Sequence, residues 1–222
     1  MADIVVFRPE DDWPGLKKLE SDPVVDLEPE ERRSAYRFHR DAFSLRLAYV
    51  RHPHYSQFLI PLSEYTEYVL QDKFNEALRV LTALGASTIR CSSHRTQSKS
   101  FGGAMRVPKV VKVDAKRGHT SNSHFDYEYA GAGAAPVDPR PLKWPSEPGM
   151  QAAIDGVLRN GATSVRITVK RDDAITMDAE IPLRLRKIGV EFGLHSTRSQ
   201  VDTLDFDATF PPRPIRQQGW LR

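Results

Sequence analysis

Three sets of residues in this 222-residue chain have side chains and spacings suited to chemistry. His52 and His54 flank Pro53. In an extended backbone residues two apart point to one side, so both imidazoles could face one metal ion. His39 and Asp41 precede them, and a complete site would need a further ligand from elsewhere in the chain. Asp205 and Asp207 share the outer face of a strand-like segment, with Asp202 nearby. Carboxylates at i and i+2 can bind Mg2+ and activate water, the arrangement of a metal-dependent hydrolase. Cys91 and His94 form a single Cys-x-x-His, half of what a zinc site ordinarily uses. Each set also has a plainer reading: exposed histidines beside a proline turn, a solvated strand face, and a small packed thiol.

Charge is the other chemical resource. The net charge of +3 conceals an asymmetry, because residues 1–31 hold ten acids against Arg8, Lys17 and Lys18. Residues 84–125 hold eight bases, Arg90, Arg95, Lys99, Arg106, Lys109, Lys112, Lys116 and Arg117, against the one acid Asp114. Such a block attracts nucleic acid, an acidic protein surface or anionic lipid. The plainer reading is a solvated hairpin whose charges guard its edge. An internal alternative is self-association, with the acidic N-terminal segment folding over the basic one. Salt weakens all of these contacts and does not separate them. Apart from histidines, Phe101 is the only aromatic between residues 87 and 120, and Tyr127 and Tyr129 lie further on. That favours phosphate contact over base readout.

The usual signatures of nucleotide-dependent, serine-hydrolase and zincin chemistry are missing: there is no P-loop, Gly-x-Gly-x-x-Gly, Gly-x-Ser-x-Gly or His-Glu-x-x-His. No cofactor is expected. A single cysteine excludes an intramolecular disulfide framework. The longest apolar run near the N-terminus is Ile4 to Phe7, too short for a secretory core or a membrane helix. A soluble, cytoplasmic protein is therefore expected. A pore-forming or membrane-surface protein is a weaker alternative, because only the second arm of the basic segment, "VPKVVKVDA", alternates as a membrane strand would.

These residues must be positioned by regular elements. Hydrophobic residues make up 40% of the chain, enough for a core. The spacing predicts a helix over 64–84, with Phe74, Ala77, Leu78, Leu81 and Leu84 on one face, Ser63 as N-cap and Gly85 ending it. A second helix is expected over 150–160, with Met150, Ala153, Ile154, Val157 and Leu158 inward. Alternation predicts strands at "SLRLAYV", "STIRCSS", "VPKVVKV", "HFDYEY", "TSVRITVK" and "TLDFDATF", the second and third pairing as a long hairpin about Gly102–Gly103. "RHPHYSQFLIPL" reads as extended and "DAEIPLRLRKIGVEFG" as a helix. Five prolines and three glycines in 130–149 read as a connection.

Sliding the chain by 76 positions lays Phe74–Arg95 over Met150–Arg171 with five identities. Both copies read helix, Gly-Ala, two hydroxyl residues, then strand. Neither copy alone can hide a helix stripe and a strand face from water, so joint packing is expected. The expected fold is α+β, with helices packed on one face of a mainly antiparallel sheet built from two helix–strand units, related or not. The expected organisation is an acidic arm over 1–31, one domain over 32–210, and a basic Pro-rich tail over 211–222. The expected function is a non-enzymatic binding or adaptor protein that presents a basic hairpin at about 87–117 to an anionic macromolecule. The alternative is a metal-dependent hydrolase using His52, His54, Asp205 and Asp207.

Overall fold

The computed structural model describes residues 4–8, 25–41, 43–45, 47–94, 125–171, 190 and 203–212. The chain divides into two compact units: residues 1–77, 140–147 and 169–199, and residues 78–139, 148–168 and 200–222. The fold is α+β, with helices packed on sheets in which antiparallel pairings predominate.

The first unit contains a five-stranded sheet in the order β2-β1-β4-β5-β3. Its strands are β1 (Ile4–Arg8), β2 (Val25–Pro29), β3 (Arg37–Phe38), β4 (Ala48–His52) and β5 (Tyr55–Pro61). β1 has four apolar residues in a row because both of its faces are covered. Ile4 and Val6 join Ala48, Val50, Ile60, Leu62, Tyr65 and Val69 on one side. Val5 and Phe7 join Tyr49 and Leu59 on the other, where Tyr36, Phe38 and Phe43 pack around them. Phe7 meets Tyr36, Phe43 and Tyr49 edge-on with centroids 5.3–6.1 Å apart, a geometry that suits the ring quadrupoles.

This corrects one expectation. Residues 4–8 and 25–29 of the expected arm are strands, since β1 pairs with both β2 and β4 and its Ile4–Phe7 stretch is buried. The acids of β2 are also committed locally: Glu28 is bound by Arg32 at 3.1 Å and by the Tyr36 hydroxyl at 2.5 Å, and Asp26 by Arg51. The strands form two sheets. The doubly buried strands of the first unit form a layer of their own.

The second unit holds β6 (Thr88–His94), β7 (Tyr127–Ala130), β8 (Ser164–Lys170) and β9 (Thr203–Thr209) in the order β7-β6-β9-β8. The inner face carries Ile89, Cys91, Ile167, Leu204, Phe206 and Ala208, all buried. Helix α1 (Tyr65–Ala83) runs from the first unit into the second, and α2 (Pro148–Asn160) buries Met150, Ala153, Ile154 and Val157. Gly149 lets α2 approach β8 closely, because a Cβ there would lie 3.2 Å from Ile167 Cγ2. Both helices end where expected, at Gly85 (φ 80°) and Gly161 (φ 67°). α1 starts one residue later than expected, at Tyr65, with the Glu64 carbonyl accepting the Tyr68 N–H at 2.9 Å.

The expected pairing of "STIRCSS" with "VPKVVKV" is not formed along residues 88–91, where β6 has β7 on one edge and β9 on the other. The helix expected in "DAEIPLRLRKIGVEFG", residues 178–193, lies outside the described residues apart from buried Val190, and most of the tail, 213–222, lies outside them too. Among the described residues no helix is long and apolar enough to cross a membrane.

Candidate functional site

The outer face of the four-stranded sheet is polar because strand alternation sends Thr88, Arg90, Ser92 and His94 opposite to Ile89 and Cys91. Register then builds a row across all four strands. Arg90 lies opposite Glu128 on one side and Asp207 on the other. The Arg90 guanidinium contacts Glu128 at 3.0 Å, and Arg166 of β8 grips Asp207 through two donors at 2.7 and 3.2 Å. Charge therefore alternates along Glu128, Arg90, Asp207 and Arg166, and at least half of each of these side chains is exposed. Such solvated pairs contribute little to stability. In the next row the Thr168 hydroxyl donates to Asp205 at 2.7 Å, and His94 Nε2 lies 3.2 Å from the same carboxylate. Thr88, Glu128, Tyr129, Arg166 and Thr209 line an open concavity of about 680 Å3 on this face.

The basic segment is anchored at one end of this sheet. It leaves β6 after His94 and returns at Phe125, two residues before β7, the antiparallel neighbour of β6. Two residues suffice to join such neighbours. Here residues 95–124 carry Arg95, Lys99, Arg106, Lys109, Lys112, Lys116 and Arg117 against Asp114, a net charge of +6. Those seven bases, and Phe101 and His119 with them, lie outside the described residues. Arg90 is the one expected binding residue that is described, and it belongs to the carboxylate row.

In the first unit His52 ends β4 and Pro53–His54 form the turn into β5, so the two histidines are not on one extended strand. Their ring centroids are 5.9 Å apart. The His54 N–H donates to His52 Nδ1 at 3.1 Å, which removes that nitrogen as a ligand. His52 Nε2 is buried and faces Asp72 Oδ2 at 3.6 Å, beyond hydrogen-bond reach. Asp72, from the middle of α1, accepts the Trp144 indole N–H at 2.9 Å and pairs with the Lys143 ammonium. Burial alone would raise the Asp72 pKa, but His52, Lys143 and Trp144 outweigh it and hold the carboxyl down to about 2. Burial foremost, with the positive potential of His52, Lys143 and Lys73, pushes the His54 pKa below its usual value.

Asp205 and Asp207 belong to the second unit, each engaged by a cross-strand partner. Asp202 and Asp172–Asp173 lie outside the described residues. His39 faces Glu64 at 3.3 Å. Cys91 is buried on the inner sheet face, and burial, with Asp126 and Asp205 adding, pushes its thiol up to about 12. It is a packing residue, as its alignment with Ile167 in the repeat implies. Among the described residues no group of three or more His, Cys, Asp or Glu side chains could hold a metal ion.

Sequence reasoning missed the cluster around Asp72. Its signal was Trp144, a lone large ring in a Pro-rich connection, which had to be buried somewhere. Comparison with protein-family models, curated proteins and solved structures found no match to this chain.

Proposed function

We propose that this chain is a non-enzymatic binding protein that presents residues 95–124 to an anionic macromolecule. One observation carries the reading: a segment of net charge +6 connects two strands, β6 and β7, that are direct neighbours in a sheet. Both of its neighbouring strands belong to one sheet, β6 ending at His94 and β7 starting at Tyr127. A long connection between adjacent strands is a common place for binding residues on a rigid scaffold. The outer face of the sheet offers hydroxyls and paired charges. The scarcity of aromatics in 95–124 favours contact with a charged backbone over stacking on bases.

The test is reversal of Arg95, Lys99, Lys109 and Lys112 to Glu in the full chain. Binding is read by fluorescence anisotropy with a single-stranded 30-mer, a duplex 30-mer and polyglutamate, and by sedimentation with phosphatidylserine vesicles. The expected result is saturable binding to one probe class that weakens steeply with salt and falls at least ~100-fold on reversal. The thermal midpoint should move by less than about 2 °C, as for surface substitutions. Unchanged binding after reversal, or no binding to any probe at low salt, overturns the reading.

A further inference from the structure

Among the described residues the sheet edges are β2 and β3 in the first unit, and β7 and β8 in the second. Three of these edges are guarded. β2 ends in Pro29, β8 ends in the exposed Lys170, and β3 is two residues long. Proline, lysine and shortness are ordinary ways to stop an edge from adding a strand. β7 has no proline and no lysine. Its residues Tyr127–Ala130 are all exposed, and its one charge, Glu128, is compensated by Arg90 at 3.0 Å.

The residue after β7 fixes which of its backbone groups face outward. Gly131 stands opposite Ser87 in the register that pairs Ala130 with Thr88, and its N–H donates to the Ser87 carbonyl at 2.7 Å. Bonded positions alternate along an antiparallel pair, so Tyr129 and Tyr127 turn their backbone groups to Ile89 and Cys91. The N–H and carbonyl of Glu128 and of Ala130 therefore point away from β6, along the outer edge of the sheet.

We propose that β7 is a dimerisation edge, which pairs antiparallel with β7 of a second copy of this chain about a two-fold axis at Tyr129. Only one two-fold register pairs both outward residues within the strand. In it the Ala130 N–H donates to the Glu128 carbonyl of the second copy, the Glu128 N–H donates to its Ala130 carbonyl, and symmetry repeats both bonds. The same register sets the Glu128 side chain across from a methyl group. A shift that centred the axis on Glu128 would set two carboxylates face to face, which is unfavourable. Tyr129 then meets Tyr129 of the second copy at a non-bonded position, where side chains come closest and aromatic pairs contribute most. Tyr129 is 40% exposed, so this contact removes apolar surface from water. The edge is thus complementary to itself in hydrogen bonds, charge and ring contact, as an isologous interface must be. That selects a second copy over a strand of another protein.

The test is sedimentation equilibrium of the full chain from about 1 to 200 μM, the range in which small interfaces associate. A monomer–dimer equilibrium is expected. Ala130→Pro removes an N–H that β6 does not use. It should keep the thermal midpoint and weaken dimerisation at least ~10-fold. Register is read by mild oxidation in a Cys91→Ser background. Tyr129→Cys should form an intermolecular disulfide, because the axis brings the twin Cα atoms within disulfide reach, and Glu128→Cys should form at least ~10-fold less. A chain that is monomeric throughout leaves the edge to a strand of another protein and overturns the proposal. So does a dimer that Ala130→Pro leaves intact, or cross-linking that favours Glu128→Cys. If Ala130→Pro fails to fold, the cysteines decide: a Tyr129→Cys chain that does not cross-link also overturns it.

Discussion

Ser87 and Thr163, 76 positions apart, hold the end of β9 from opposite sides. The Ser87 N–H donates to the Thr209 carbonyl at 2.8 Å, and the Thr163 carbonyl accepts the Phe210 N–H at 2.8 Å. Each stands two residues after the glycine that ends its helix, and each leads into a strand that flanks β9. The pairs Arg166–Asp207 and Thr168–Asp205 run in opposite directions along the chain, so β8 is antiparallel to β9, as β6 is. The two helix–strand units thus place their strands parallel to one another with β9 between them. This is the common layer that their shared apolar pattern required, whatever the origin of that pattern.

The two terminal glycines should nevertheless respond differently to a methyl group. Gly161 has nothing within 4 Å of a built Cβ, so Gly161→Ala meets only the left-handed backbone penalty, about 1 kcal/mol. At Gly85 a Cβ would fall 2.1 Å from the Ala134 carbonyl oxygen, in addition to its φ of +80°. Gly85→Ala should cost about 3 kcal/mol or more, since backbone must move. Urea unfolding of the two variants checks the order, and equal costs would contradict it.

Asp72 should dominate the acid limb of stability in the first unit. Folding lowers its pKa to about 2 against an ordinary 3.8. The unfolded chain therefore binds the proton first, and stability is lost as pH falls from about 4 to 2. The contribution is about 2 kcal/mol, present in full above pH ~5. Asp72→Asn should remove that part of the acid dependence. At neutral pH it should also destabilise by about 3 kcal/mol, because the Lys143 ammonium is left without its carboxylate. Thermal melts of both proteins between pH 2 and 7 provide the comparison.

What the sequence made legible was local, and what it hid was long-range. The helices over 65–83 and 148–160 and the strands over 164–170 and 203–209 follow from periodicity and caps, because each is amphipathic with one face to bury. The N-terminal segment misled because charge dominates its composition, while four consecutive apolar residues, Ile4–Phe7, carry its structure. A strand buried on both faces has no alternation to read. The strand partners of β6 were equally hidden, since turn glycines at 102–103 suggest a hairpin but say nothing of β9 arriving from more than a hundred residues away. The Asp72 cluster joins residues from β4, α1 and the 140–147 segment, and no local pattern relates them. Within the proline-rich stretch 130–149, Ala130 ends β7, Pro148–Gly149 open α2, and Trp144 between them is buried.

Cys91 should be silent towards thiol reagents in the folded chain. It is buried on the inner sheet face, and its pKa is pushed up to about 12, so almost no thiolate exists at pH 8. Reaction requires the thiolate and access to it. Ellman's reagent should therefore label one equivalent in urea and almost none without it. Fast labelling of the native protein would mean that β6 opens locally.

Arg90 separates the sheet face from the basic connection as the source of any polyanion binding. Its guanidinium is shared with Glu128 in a solvated row, so releasing it costs little and adds little free positive charge. Arg90→Ala should weaken binding to a 30-mer by no more than about threefold, about one phosphate contact's worth at moderate salt. Glu128→Gln, which frees the same guanidinium, should strengthen binding slightly, because an exposed carboxylate beside the anion is removed. If Arg90→Ala instead lowers affinity as much as reversing Arg95, Lys99, Lys109 and Lys112, the polyanion lies on the sheet itself. The alternating row of Glu128, Arg90, Asp207 and Arg166 would then be the surface to map next, since its carboxylates would have to turn aside to admit a phosphate.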